Sequence, residues 1–173
     1  MPSSECPQIG CAAANSRLYI AFDGHATHRA ALTAEQLVAS FLGTRPREPV
    51  AILDLTACVW VDSTFAGWTI RLQQRLAQMA GKVVLTRCPP ACRASLETMG
   101  LTSLFEFRDV ARPPRLQRVD CLEEGADPET LAFMLDAHER LADVSSDNQR
   151  AFAQIEAELR RALVSRSKSR PTS

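Results

Sequence analysis

The segment VAILDLTACVWVDSTFAGWTI, residues 50–70, changes its hydrophobic pattern at a short polar cluster. Before the cluster the residues are almost all apolar, which is typical of a strand buried in a sheet. After it, apolar residues recur three or four positions apart from Phe65 to Met79, the spacing that places side chains on one face of a helix. The polar residues 62–64 are therefore expected at a turn between a buried strand and the start of a helix.

The same kind of pattern extends to both sides of this segment. It predicts strands at residues 17–22, 50–55, 82–86 and 104–107, with 58–62 as an extension or a further short strand, and helices at residues 31–42, 63–80 and 89–100. Gly24 is expected to break the first strand, and Pro90 and Gly100 fit the beginning and the end of the third helix. This order predicts an α/β fold in which helices pack on a mostly parallel or mixed sheet.

The composition changes after residue 110, where a segment rich in proline and charge, residues 111–126, is interpreted as a linker. Two helices are expected over residues 127–165, the first with Asp127 as N-cap and the second with a capping box between Ser146 and Gln149. Their apolar stripes need a partner surface, so we expect them to dock on the sheet domain, on each other, or on a second subunit in a homodimer. His138 lies on such a stripe and is expected to be a packed side chain.

The two ends of the chain are expected to be less ordered. Residues 1–15 are interpreted as a flexible N-terminus and residues 166–173 as a disordered basic tail, which leaves residues 16–110 as the main domain.

The composition excludes several classes of function. The chain has 173 residues, of which 46% are hydrophobic, and its formal net charge is zero. It therefore fits a globular domain without the basic surface of a nucleic-acid-binding protein. No apolar run approaches the roughly 20 residues that span a bilayer, and no export signal is visible. We expect a cytoplasmic protein without membrane contact and with reduced cysteines.

The spacing of potential metal ligands is weak evidence for a metal site. Cys88 and Cys92, and likewise His25 and His28, form two pairs, but neither has the spacing of a structural zinc site. We therefore expect neither a metal nor another cofactor.

Residues 50–70 resemble the signature of STAS domains, the module found in bacterial anti-sigma factor antagonists and in the tails of sulfate transporters. In that signature an apolar strand leads into Asp-Ser-Ser/Thr, followed by a glycine-containing helix. The segment GKVVLTRCPPACRASLETMGLTSLFEF, residues 81–107, is similar to the family's next strand, proline-started helix, Gly-Leu pair and short strand. The resemblance covers about residues 16–110 and implies a STAS-type mixed sheet packed by helices, here with a C-terminal helical extension.

The resemblance also implies a site and a partner. The serine that directly follows the Asp is the family's phosphorylation site, which corresponds here to Ser63, with Thr64 as the alternative acceptor. The partner implied is an anti-sigma factor that is a serine kinase of the GHKL type and that binds when Ser63 is unmodified. Asp62 is expected to support the hydroxyl or to cap the helix.

Three further residues are assigned to the site. Asp23 is a candidate neighbour of Ser63, at the end of the first predicted strand. Phe65 and Gly67 are expected to belong to the partner surface, although Phe65-Ala66-Gly67 replaces the family's usual Gly-Leu-Gly.

Other classes of protein share single features with this sequence. Asp54 follows an apolar strand as in a receiver domain, but the acidic cluster that holds Mg²⁺ there is lacking near the first predicted strand. Ser63 is not in the G-x-S-x-G context of a serine hydrolase, and no nucleotide-binding loop is present, so an enzyme is not expected. The alternatives that stay open are a constitutive STAS scaffold, in which Ser63 is only a helix cap, and a small-ligand sensor.

Overall fold

The structure is a computed structural model that describes residues 7–123 and 125–168. Its elements in chain order are β1 (Gln8–Ala14), β2 (Arg17–Ala26), α1 (His28–Gly43), β3 (Val50–Asp54), β4 (Cys58–Val61), α2 (Ser63–Ala77), β5 (Lys82–Thr86), α3 (Pro90–Thr98), β6 (Glu106–Phe107), β7 (Gln117–Val119), α4 (Pro128–Ala142) and α5 (Ser146–Lys168). From β2 to β6 the order of strands and helices is the predicted one. The helices α4 and α5 form the C-terminal extension.

The described strands form a mixed sheet in the order β6-β5-β3-β2-β1-β7, and β4 pairs with the end of β2. The pairs β2–β3, β2–β4, β3–β5 and β5–β6 are parallel, whereas β1 is antiparallel to both β2 and β7. Strand β2 does not end at Gly24. This glycine has φ +91°, a left-handed conformation that glycine adopts at little cost, and there β2 changes its partner from β3 to β4. The predicted fold class, a mixed sheet packed by helices, is confirmed.

Two segments that were expected to be irregular belong to the sheet. The prediction of a flexible N-terminus over residues 1–15 is wrong for β1, which pairs with β2 along its whole length. Within the predicted linker, β7 pairs with β1, and the backbone carbonyl of Leu122 accepts a hydrogen bond of 3.0 Å from Arg29 Nε of α1. The composition of β1, rich in alanine and glycine, has low strand propensity, so its conformation depends on pairing with β2. Residues 1–6 and 124 lie outside the described residues.

The main core lies between the sheet and the helices. It contains the largest fully buried side chains: Ile9, Ile20, Phe22, Leu53, Leu55, Phe65, Trp68, Leu72, Leu76, Leu85, Leu96 and Leu101. A smaller cluster on the other face of the sheet is formed by Tyr19, Ala21, Ile52 and Val84, and it is covered by Val110 and Leu116 from the segment before β7. Both faces of the central strands are therefore buried, which explains their nearly continuous apolar sequences.

A buried polar pair lies beside the smaller cluster. The Tyr19 hydroxyl donates a 2.6 Å hydrogen bond to the carboxylate of Asp54, which is 1% exposed and also accepts from the Thr56 backbone N–H at 2.9 Å. Burial by itself would raise the pKa of Asp54. The hydrogen bonds from Thr56 and Tyr19 and the nearby Arg112 guanidinium outweigh it and hold that pKa below its usual value.

The extension docks on the sheet domain through α4, which lies against α2. Gly67 of α2 is the point of closest approach, because a Cβ atom added there would lie 2.0 Å from the backbone oxygen of Ala137. Residues 64–70 of α2 are all buried, so this part of the helix is covered on both sides. The sequence stripe predicted only one buried side, because the periodicity of α2 does not show that a later helix covers the other.

Helix α5 is fixed at its beginning. The amide of Asn148 donates 2.9 Å hydrogen bonds to the backbone oxygens of Met99, after α3, and Leu141 of α4. Its cap is Ser145 and not the predicted Ser146, since Ser145 Oγ accepts from the Asn148 backbone N–H at 3.1 Å. Residues 166–168 of the predicted disordered tail continue α5, and residues 169–173 lie outside the described part of the chain.

Four cysteines of the described part, Cys11, Cys58, Cys88 and Cys92, are free thiols, as predicted for them. Cys6 lies outside the described residues. Burial raises the pKa of the Cys88 thiol to about 11, so this thiol is unreactive near neutral pH.

Within residues 7–123 and 125–168, no helix combines the length and apolarity that a membrane span requires.

Replacement of Tyr19 by Phe is expected to lower the free energy of unfolding by about 1–3 kcal/mol at pH 7, because it removes a donor from a buried carboxylate. The contribution of Asp54 is present above the pKa of about 3.9 that an Asp has in the unfolded chain, and it is lost as the pH falls through the lower folded-state value. Urea denaturation of the wild type and of Tyr19→Phe between pH 7 and pH 3 should therefore show a difference that shrinks in acid. A double-mutant cycle with Asp54→Asn isolates the pair, and a difference independent of pH would contradict this assignment.

Candidate functional site

The predicted turn between β4 and α2 is held by one carboxylate that caps two helices. Asp62 Oδ1 accepts a 2.7 Å hydrogen bond from the Phe65 backbone N–H in the first turn of α2. Its Oδ2 accepts from the His28 backbone N–H, the first residue of α1, at 3.0 Å. The first N–H groups of a helix have no partner within the helix, so Asp62 satisfies one such group in each. Its own N–H donates to the Ala26 carbonyl at the end of β2, at 3.0 Å.

Burial dominates the electrostatics of Asp62. It raises the pKa of this carboxyl above the usual value, although the N–H groups of Phe65 and His28 act in the opposite direction. Asp62 therefore adds a poorly solvated negative charge beside the first residue of α2.

Ser63 is the first residue of α2 and is half-buried. Its hydroxyl does not cap the helix, since Asp62 does so. Instead, Ser63 Oγ lies 2.8 Å from Nε2 of His138, which is on α4 in the extension. His138 Nδ1 lies 2.7 Å from the backbone oxygen of Met134. Because that carbonyl can only accept, Nδ1 of the neutral ring carries the proton, Nε2 is the acceptor, and the Ser63 hydroxyl donates.

His138 was expected to be a packed side chain, and it is 1% exposed, with its ring 5.6 Å from that of Phe152 on α5. Its contact with Ser63 was not anticipated. The two residues are 75 positions apart, and no local pattern connects them. The one signal in the sequence was a polar, hydrogen-bonding residue in the middle of an apolar stripe, which requires a buried partner.

The other predicted site residues surround Ser63 in sequence but are not at the surface. Thr64 is 3% exposed, and Phe65 is 1% exposed, with its ring packed against those of Phe22 and Trp68. Gly67 lies beneath Ala137. In this conformation, therefore, neither of the two residues assigned to the partner surface is accessible.

Asp23 is not at the end of a strand, because β2 continues to Ala26. Asp23 lines a cavity of about 200 Å³ together with Asp54, Arg112 and Leu116 among others, and neither Ser63 nor His138 borders that cavity. The structure thus brings Asp62, Ser63 and His138 together and places Asp23 elsewhere.

The candidate metal ligands do not form a cluster. No group of three or more His, Cys, Asp or Glu residues in the described part of the chain is arranged to hold a metal ion. His25 packs edge-on against Trp60, with ring centroids 6.2 Å apart, and the Cys92 thiol lies 3.5 Å from the backbone oxygen of Cys58.

The fold is similar to that of a solved anti-sigma factor antagonist. The chain is similar to the solved structure of the anti-sigma factor antagonist SpoIIAA in its unphosphorylated form, with a TM-score of 0.52 and 16% sequence identity over 60% of this chain and 88% of that chain. At this identity the likeness establishes the fold, and the chain has the STAS fold. No protein family model matches the sequence, and a search of curated proteins finds no relative.

Replacement of Asp62 by Ala is expected to lower the free energy of unfolding by about 1–3 kcal/mol, since two helix caps are lost and each is worth about 0.5–2 kcal/mol. Asp62→Asn keeps one acceptor oxygen and should lose less. Asp127→Ala is the matched control, because Asp127 caps only α4 by accepting from the Thr130 N–H at 2.9 Å. Urea denaturation at pH 7 measures the free energy of unfolding of each variant. Equal decreases for Asp62→Ala and Asp127→Ala would contradict the assignment of Asp62 as a cap of two helices.

Proposed function

We propose that this protein is a phosphorylation-controlled interaction module that acts as an anti-sigma factor antagonist in a bacterial regulatory pathway, with Ser63 as the phosphoacceptor. The observation that carries the proposal is the position of Ser63 on the STAS fold. Its hydroxyl lies at the first residue of α2, and the capping function that would otherwise explain it belongs to Asp62. This favours the switch over a scaffold in which Ser63 serves only as a cap.

The beginning of α2 can accommodate a phosphate electrostatically. The N-terminus of a helix carries a partial positive charge and free N–H groups, both of which favour an anion. Phosphorylation adds a charge of about −1.5 to −2 next to the buried carboxylate of Asp62, which repels it. Phosphorylation of Ser63 therefore changes the charge of the surface at the beginning of α2 strongly. The SpoIIAA structure, which this chain resembles in fold, is that of the unphosphorylated form of SpoIIAA, and this supports phosphorylation as the means of control here.

The partner that fits this proposal is an anti-sigma factor that is also a serine kinase of the GHKL type. It would bind the module when Ser63 is unmodified and release it after phosphorylation, because a phosphate buried without counter-charges in an interface costs several kcal/mol. Since about 1.4 kcal/mol corresponds to a factor of ten, such a cost is sufficient to abolish micromolar binding.

The Ser63 hydroxyl donates to His138 Nε2, as a serine nucleophile donates to its general base in an enzyme. We nevertheless propose a binding function and not an enzyme. His138 covers the hydroxyl from a docked helix, and the cavity of about 200 Å³ described above lies elsewhere. Because neither Ser63 nor His138 borders that cavity, the small-ligand sensor is the less favoured alternative.

Ser63→Ala is expected to bind the anti-sigma factor and to resist phosphorylation, and Ser63→Asp is expected to lose binding at least about a hundredfold. The measurement is affinity purification of the tagged full chain from its host, with mass spectrometry to identify an anti-sigma factor with a kinase domain. It is followed by phosphorylation of the purified protein with that kinase and ATP.

Thr64→Ala is the matched control, because Thr64 is the adjacent hydroxyl but is buried. It should be phosphorylated as well as the wild type. Modification of Ser63→Ala at the wild-type rate would assign the acceptor elsewhere, and full affinity of Ser63→Asp for the kinase would refute the switch.

A further inference from the structure

The C-terminal extension covers the side of α2 that begins with Ser63. Four residues of α2 spaced along one side of the helix contact α4, and we call them the Ser63 face: Ser63, Gly67, Arg71 and Gln74. Arg71 donates to the Asp136 carboxylate at 3.4 Å, and the exposed Gln74 accepts a hydrogen bond from Arg140.

The docking of α4 is specific in shape as well as in charge. At the centre, the backbone of Ala137 lies so close to Gly67 that a Cβ atom at position 67 would be 2.0 Å from an oxygen and 2.5 Å from a carbon of that backbone. Helices approach this closely only where a residue without a side chain permits it. Around this point, Asp136 forms ion pairs with Arg71 of α2 and with Arg140 of α4, and His138 binds Ser63. The face and the covering helix are thus complementary in shape, charge and hydrogen bonding.

A phosphate on Ser63 does not fit under the docked helix. Ser63 Oγ is in direct hydrogen-bond contact with His138 Nε2 at 2.8 Å, so no space remains between them for a phosphorus atom and three oxygens. The present contact between Ser63 and His138 therefore cannot persist once the serine is phosphorylated.

From these contacts we infer that α4 is a built-in competitor of the partner: it occupies the Ser63 face in the resting protein and must leave before an anti-sigma factor binds there or its kinase phosphorylates Ser63. This inference rests on the proposed function for the identity of the partner. The face fits a partner helix of the same chemistry as α4, with a small residue opposite Gly67 and an acidic residue opposite Arg71. Phosphorylation in turn prevents α4 from returning.

The cover lowers the apparent affinity of the partner. When only a fraction of the molecules is open, the apparent dissociation constant rises by the inverse of that fraction. Variants that weaken α4 docking without changing the Ser63 face should thus bind the partner more tightly than the wild type and be phosphorylated faster.

The cover can be measured without knowledge of the kinase. In the full chain, Ser63→Cys places a thiol at the covered position, and its rate of reaction with N-ethylmaleimide reports exposure. Chymotryptic cleavage after Trp60 separates this thiol from Cys58 for mass spectrometry. Two opening variants are combined with it: Ala137→Glu, which places a carboxylate at the contact with Gly67, and Asp136→Arg, which opposes Arg71 with a like charge.

Both opening variants should increase the labelling rate at position 63 by at least about tenfold. The matched control is Ala157→Glu, the same substitution on the exposed side of α5, which should leave the rate unchanged. Circular dichroism and the melting temperature show whether the sheet domain is intact. If Ala137→Glu unfolds the chain, the milder Asp136→Arg, at a side chain that is already 33% exposed, carries the test. Equal labelling rates in folded opening variants and in the Ser63→Cys parent would refute the inference that α4 covers position 63.

A second measurement separates this inference from the proposed function. With Ser63 restored, the opening variants should be phosphorylated faster by the anti-sigma kinase, by a factor similar to that of labelling. Equal phosphorylation of open and closed proteins, despite different labelling, would refute competition between α4 and the partner. Faster labelling combined with no phosphorylation of Ser63 in any variant would refute the phosphoswitch and leave the cover standing.

Discussion

The carboxylate of Asp62 determines where the other groups of the site lie. It accepts one hydrogen bond from the first turn of α2 and another from the first residue of α1, and its backbone N–H is bound to the end of β2. Three elements are thereby joined at one residue. Because burial raises the pKa of this carboxyl, these hydrogen bonds only partly offset the loss of hydration. The chain retains the buried Asp62 carboxylate despite this cost. Because Asp62 caps α2, the hydroxyl of the next residue, Ser63, is not needed as a cap.

The extension then determines what surrounds that hydroxyl. Helix α4 lies so close to α2 that only glycine fits at position 67. The same close approach brings His138 Nε2 within 2.8 Å of Ser63 Oγ. Asn148 holds α5 against α4 and the end of α3, so the C-terminal extension is anchored away from the site as well as at it. Ser63 is therefore not simply an exposed residue of a STAS domain. Its surroundings are built jointly by the sheet domain and by the helices that follow it.

This arrangement connects the fold with the proposed regulation. The beginning of α2, where the proposed partner would bind, is paired here with a segment of the same chain, α4. Competition between an internal and an external helix needs only a modest difference in affinity, because each 1.4 kcal/mol changes the balance tenfold. The ion pair between Asp136 and Arg71 lies at the edge of the contact, where both side chains are about one-third exposed.

Much of the fold was determined by local features of the sequence. The buried strand of residues 50–54, the change of period at Asp62 and the proline at the start of α3 are patterns within a few residues, and they predicted the order of elements from β2 to β6. The cap at Asp127 was likewise local and is present. Strand β1 was missed because its alanines and glycine have low strand propensity and gain their conformation from pairing with β2.

Only the tertiary structure decided the character of the site. The second hydrogen bond of Asp62 joins residues 34 positions apart, and the bond between Ser63 and His138 joins residues 75 apart. Periodicity shows that a helix has an apolar side, but it does not show which surface that side covers. The sequence alone thus determined that Ser63 begins a helix after a buried strand, while the packing of α4 on Gly67 decided that its hydroxyl is covered, because contacts between distant segments depend on the shapes of both.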